Sequence, residues 1–199
     1  MLLDGLHDVP AGKIAEIVTS LEMFAKPALR PEVQDAPWTL RRLADPGADE
    51  YLDLYRAVGR DWLWFTRLVT PREELMADLT DPKVEVYRLE APDGEVGILE
   101  LDFREAETCE LVYFGVSRGL VGGGAARWLM NRAIDRAWSQ PIRRFWVHTC
   151  TLDAPAAPAF YQRSGFTAFR RQVGIADDPR LSGLAPLDSA PHAPLIRPA

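Results

Sequence analysis

The sequence predicts an α/β (α+β) fold: a mixed, mostly antiparallel twisted sheet of about six to seven strands, with helices on both faces. Three observations predict it. Apolar runs at 84–90, 96–103 and 109–116 follow one another through short turns, as in an antiparallel meander. A helix-period segment, a strand-like run, a second helical segment and a last strand-like run then alternate to about residue 173. Helical segments also fill the stretch between a first short strand at 39–43 and the meander.

The elements follow in chain order. Residues 13–22, "KIAEIVTSLE", alternate loosely and suit either a strand or a short helix, and the proline-bearing 25–38 reads as a connector. Asp45, Pro46 and Gly47 open a helix in which Leu52, Leu54, Tyr55 and Val58 recur at helical spacing, until Gly59 breaks it. A second helical piece covers 61–69. In "TPREELMADL" (70–79), Thr70 is placed as N-cap with Pro71 in the first position and Glu73 three residues after the cap, the pattern of a capping box. "APDGE" (91–95) carries the Asp-Gly turn of a hairpin. Ala126, Leu129, Met130, Ala133, Ile134 and Ala137 form one face of the helix after the meander. "RRFWVHTC" (143–150) is a strand, 154–164 a helix with Pro158 early and Gly165 at its end, and 166–173 the last strand. Three regions result: an N-terminal extension, 1–37, partly ordered; a domain, 38–175; and a Pro-rich tail, 176–199, expected to be extended or disordered.

Composition narrows the partners. The formal net charge is −6 and the pI about 5.1, which argues against wrapping nucleic acid or coating an anionic membrane, though not against a local basic pocket. The two cysteines, Cys109 and Cys150, show neither a CxxC pair nor zinc spacing and read as reduced thiols; no metal is expected. No stretch approaches the roughly 20 apolar residues of a membrane span, and the N-terminus lacks a signal pattern. A cytoplasmic protein without nucleic-acid or membrane partners is the expectation; a homodimer is left open.

The feature that points to chemistry is "GLVGGGAARWLM" (119–130), where the third meander strand hands over to a helix. Small residues there let backbone N–H groups converge, and the helix adds its unpaired amides and positive dipole end, a combination that suits phosphate or pyrophosphate. A tight packed turn is the other reading. A P-loop would need GxxxxGK and then Ser or Thr, which is absent, and a dinucleotide-binding GxGxxG fails at Arg127.

The window Val121-Gly122-Gly123-Gly124-Ala125-Ala126 resembles the phosphate-binding signature Gln/Arg-x-x-Gly-x-Gly/Ala of the GNAT family of N-acetyltransferases. Gly124 and Ala126 match, whereas Val121 stands where Gln or Arg is usual. "APAFYQRSGF" (157–166) and the element order resemble the same family, so the likeness covers roughly residues 38 to 173. It implies a GNAT-like sheet and acetyl transfer from acetyl-CoA, as co-substrate, to a primary amine of a small acceptor, by direct transfer with no covalent intermediate and no metal. The alternatives are a non-catalytic acyl-CoA-binding domain, or an acyltransferase with another acyl chain or acceptor.

By that resemblance Gly122 to Ala126, with Val121, bind the pyrophosphate, and backbone groups of Phe114 and Val116 pair with the pantetheine arm. Tyr161 protonates the leaving thiolate, and Glu110 is the general base. Strand alternation puts Glu110 beside Val112 and Phe114, where apolar neighbours would raise its pKa. Glu100 and His148 are further candidates for the base or for substrate contact. Trp62 and Trp64, with Arg60 and Arg67, are expected to line the acceptor cleft, and Asp153 to cap the helix that carries Tyr161.

Overall fold

From N- to C-terminus the chain forms β1 (Lys13–Met23), β2 (Thr39–Leu43), α1 (Ala48–Gly59), α2 (Thr66–Val69), α3 (Arg72–Thr80), β3 (Val84–Glu90), β4 (Val96–Asp102), β5 (Thr108–Val116), α4 (Ala125–Ala137), β6 (Arg144–Cys150), α5 (Ala157–Arg163) and β7 (Thr167–Asp177). The computed structural model describes residues 3–198; Met1, Leu2 and Ala199, the outer ends of the expected extension and tail, lie outside them. The seven strands make one open sheet in the order β2-β3-β4-β5-β6-β1-β7. Every neighbouring pair is antiparallel except β5 with β6.

Two apolar layers cover this sheet. On one face α1 and α3 bury Tyr51, Leu54, Tyr55, Leu75 and Leu79 against Val84, Val86 and Ile98. On the other, α4 sets Leu129, Ala133, Ile134 and Ala137 against Leu99, Leu101, Leu111 and Phe145. Full burial of each such leucine or isoleucine contributes about 1.5–3 kcal/mol, which is why helices of opposite faces need only one apolar stripe apiece. Among the described residues no helix is long and apolar enough to cross a membrane.

Residues 13–22 resolve as a strand, and its place is the unexpected part. β1 lies between β6 and β7, paired to both, so the sheet extends into the segment set apart as an N-terminal extension. The connector after it runs along α4: Asn131 Nδ2 donates to the Arg30 carbonyl (2.9 Å), Arg132 pairs with Glu32, and Lys26 with Asp135 (2.7 Å).

The tail also packs rather than trailing free. Asp178 and Arg180 form a buried pair, and Arg180 Nη1 donates to the carbonyls of Ser189 (3.1 Å) and Ala193 (2.8 Å). Ala185 and Ala190 close a small core with Ile14, Leu63 and Leu152. Low periodicity hid this, because the tail is held by backbone-directed bonds and not by an apolar stripe.

The expected capping box is not formed. α3 begins at Arg72 after Pro71, with no side-chain cap, and Thr70 Oγ1 donates backwards to the Thr66 carbonyl (2.9 Å). Arg72 anchors this helix start instead, through two bonds to Asp49 at the beginning of α1 (2.8 and 3.1 Å).

Candidate active site

β5 and β6 pair only from Thr108–Leu111 to Arg144–Val147, although β5 continues to Val116 and β6 to Cys150. Beyond Leu111 the sheet therefore opens between two parallel neighbours. The stretch of β5 left unpaired on that side holds Phe114 and Val116, and an extended ligand could add there as a strand does.

The glycine loop sits at the end of β5. Gly122 and Gly124 have φ of +84° and +91°, conformations that L side chains rarely adopt. These turns leave Val121 N bonded to the Arg118 carbonyl and Gly123 N to the Leu120 carbonyl. The amides of Gly122, Gly124, Ala125, Ala126 and Arg127 make no hydrogen bond among the described residues, so they are the donors free for an anion. Val121 itself is 64% exposed and contributes no polar group.

Cations stand near this loop. Arg127, in the first turn of α4, stacks its guanidinium on Phe160 (4.6 Å) and donates to Ser164 Oγ (3.0 Å). Partial burial, with Arg30 and Arg163 close by, holds Arg127 below the usual arginine range. None of these three arginines forms an ion pair among the described residues. The sequence reading missed this basic patch, since its members come from three separate segments.

Around the opening, a β-bulge changes the faces that simple alternation predicts. Glu100 pairs with Tyr113 but Leu101 with Leu111, so Val112 is an extra residue in β5. Phe114 consequently turns toward α5, against Phe160 (5.8 Å) and Tyr161 (6.2 Å). Tyr113 turns to the α1 face and bonds Thr66 Oγ1 (2.6 Å). Glu110 thus does not share a face with Phe114; its neighbour is His148, whose Nδ1 lies 3.4 Å from Glu110 Oε1. The Glu110 carboxylate holds His148 above the ordinary histidine range, against the opposing effect of burial, and Asp153 and Glu16 add to the shift.

Tyr161 is buried in an aromatic cage of Phe114, Phe160 (5.8 Å) and Phe166 (5.9 Å). Its hydroxyl makes no hydrogen bond among the described residues, and burial pushes the phenol well above its usual pKa. Burial likewise pushes the Cys109 and Cys150 thiols up, away from nucleophilic thiolates. Among the described residues no group of three or more His, Cys, Asp and Glu side chains could hold a metal ion.

Two expectations about the acceptor side are revised. Glu100 is wholly buried, accepting from Tyr51 Oη (2.5 Å) and Arg67 Nη2 (2.5 Å), so it is a structural partner and not a substrate contact. Arg67 continues to Asp78, which also binds Arg104. Glu100→Ala is expected to destabilise the fold by about 3 kcal/mol, read as a lower urea midpoint, because a buried guanidinium loses a charged partner. Asp153 does not cap α5, whose N-cap is Ala156; it accepts from Trp64 Nε1 (3.1 Å), Thr149 Oγ1 (2.7 Å) and Cys150 N (3.0 Å).

Trp64 is accordingly held between Tyr55 (5.5 Å) and Tyr113 (5.3 Å), and the half-buried Trp62 sits in the single turn Arg60–Trp62. The tail borders the same region, through Ala190 N to the Asp61 carbonyl (3.1 Å) and His192 Nε2 at 3.2 Å from the Thr151 carbonyl. A groove of about 680 Å³ lies elsewhere, between residues 32–36 and Trp128 and Arg132 on α4.

Comparison with solved structures agrees with the fold. A protein described as functionally unknown, from Staphylococcus epidermidis, superposes with a TM-score of 0.61 at 16% identity, over 84% of this chain and 63% of its own. A GCN5-related N-acetyltransferase from Sphaerobacter thermophilus gives 0.58 at 20%, over 89% and 54%. An aminoglycoside acetyltransferase from an uncultured soil metagenomic sample gives 0.55 at 16%, over 68% and 92%. These likenesses concern the fold, and the chain spans less than two thirds of the length of the first two. No curated protein matches the chain in sequence. Residues 51–166, more than half of the chain and including the glycine loop, the β5–β6 opening and Tyr161, match the acetyltransferase (GNAT) family, and the chain belongs to that family of enzymes.

Proposed function

We propose that this protein transfers the acetyl group of acetyl-CoA directly to a primary amine of a small acceptor. The observation that carries the reading is the opening between β5 and β6, with free amides at its loop end and the Glu110–His148 pair beside it. The amides of Gly122, Gly124, Ala125, Ala126 and Arg127 hold the pyrophosphate, and Arg127 supplies the charge that Val121 does not. Phe114 and Val116 offer backbone groups to the pantetheine arm. Free, partly or wholly buried Cys109 and Cys150 agree with a reducing compartment such as the cytoplasm.

In the transfer the amine nitrogen bonds to the thioester carbonyl carbon and the C–S bond breaks. An acceptor that arrives as a cation first loses one proton to solvent and attacks as the neutral amine. His148 takes the second proton, Glu110 orienting its Nδ1 side, and Tyr161 donates its proton to the departing sulfur and regains one from solvent. Glu16, Glu110 and Asp153 around His148 favour an acceptor that arrives as a cation, and the fold shared with an aminoglycoside acetyltransferase supports an amine-bearing acceptor. Trp62 and Trp64 border that side.

The test couples titration of acetyl-CoA to an amine panel read by free CoA release. Binding without amine-dependent release would leave a non-catalytic acyl-CoA-binding domain. Where turnover is found, the pH profile tests the base. His148 must be neutral to accept a proton, so kcat/KM should rise with pH through a value above about 6.5. Glu110→Gln should move that rise to lower pH and lower the plateau about tenfold or more. An unmoved rise, or a fully active His148→Ala, would remove the pair from the mechanism. The same raised value means that the pair stabilises the fold fully below the unfolded histidine pKa and loses that contribution as pH rises through the folded one.

A further inference from the structure

β7 ends the sheet, and only β1 pairs with it. It is 11 residues long, and its outer row of backbone N–H and C=O groups makes no hydrogen bond among the described residues. An edge of this length is a template for another strand unless bulges, charge or a covering segment blunt it. Its one register shift lies near Ala168–Arg170, opposite Ser20 and Leu21, and from Arg171 to Asp177 the strand is regular. Apolar side chains are exposed on that regular stretch: Val173 at 47% and Ile175 at 58%, with Ile17 of β1 at 37% directly beside Val173. Among the described residues no helix covers them.

We propose that β7 pairs antiparallel with β7 of a second copy, about a two-fold axis at Gly174, joining two sheets into one. In an antiparallel pair, opposite residues share a face, so a continuous two-fold sheet must place odd residues opposite odd ones. With the axis at Gly174, Val173 faces Ile175 of the partner subunit, and the two exposed apolar patches become one. Arg171 then faces Asp177 of the partner subunit, giving an opposite-charge pair at each end of the ladder. Moving the axis one residue either way sets Arg171 against an isoleucine or a proline and removes both pairs. Asp177 is 88% exposed and already bonds Lys13 (2.6 Å), so it presents its charge at the edge. The inference is independent of the acyl-transfer reading.

Sedimentation of the full chain over roughly 1–100 µM should show a dimer. Arg171→Asp and Asp177→Arg, each placing like charges opposite one another, should each weaken it at least about tenfold, and the double variant should recover it. Gly174→Cys in a Cys150→Ser background should form a disulfide-linked dimer on oxidation, since the two positions meet at the axis. The nearest atoms to the added Cβ there belong to the Glu16 side chain, with Oε1 at 2.8 Å, and this flexible side chain must shift to admit it. A monomer at all concentrations, a dimer indifferent to both charge variants, or a dimer that gives no cross-link would overturn the proposal.

Discussion

Tyr161→Phe is expected to lower kcat about 100-fold or more while acetyl-CoA affinity and thermal stability stay close to those of the parent. The phenol ring does the packing, against Phe114, Phe160 and Phe166, and phenylalanine preserves all of it. The hydroxyl makes no hydrogen bond among the described residues, so its loss leaves no protein partner unsatisfied. On the proposed mechanism, what is removed is the group that gives its proton to the leaving sulfur. Burial keeps that phenol protonated across the working pH range. It also makes the full proton transfer uphill, so the bond strengthens as negative charge gathers on sulfur, in the manner of a group that acts chiefly in the transition state. Steady-state kinetics beside titration calorimetry check the split, and unchanged turnover would reduce Tyr161 to packing.

Gly123→Glu should weaken acetyl-CoA binding at least about 100-fold, close to 3 kcal/mol, without loss of folding. The choice among the three glycines matters. A side chain at Gly122 or Gly124 would be strained at positive φ, and at Gly124 its Cβ would come within 2.7 Å of Val33. Gly123 has no positive φ, and its added Cβ would meet only the Leu120 carbonyl oxygen at 3.6 Å, an ordinary contact. A carboxylate there lies among the amides that would hold the pyrophosphate and repels it. Gly123→Ala is the control and should bind within a few-fold of the parent. Calorimetry that finds the glutamate variant unimpaired would move the phosphates away from this loop.

The strands from Thr39 to Val173, the helices between them and the glycine loop were legible because each rests on local rules: a period of two or of 3.6, a Gly at a positive-φ turn, an apolar run between breakers. The motif segments gave the place of the glycine turn and of the helix that carries Tyr161. Other features were not legible. β1 occupies the slot between β6 and β7, which depends on pairing over more than a hundred residues of sequence. The extra residue at Val112 exists only relative to β4, so alternation within β5 put Glu110 beside Phe114 when it faces His148. Glu100 sits in an apolar strand, and only its contact with Arg67 and Tyr51 shows that it is a buried structural acid. The basic patch of Arg30, Arg127 and Arg163 is assembled from segments with no common pattern.

By itself, then, the sequence determined most of the elements, their faces where the ladder is regular, and the place of the glycine turn. The tertiary structure decided strand order, the opening between β5 and β6, and which acid meets His148. Those depend on pairing and burial between distant segments, and no local period encodes a partner that lies elsewhere in the chain.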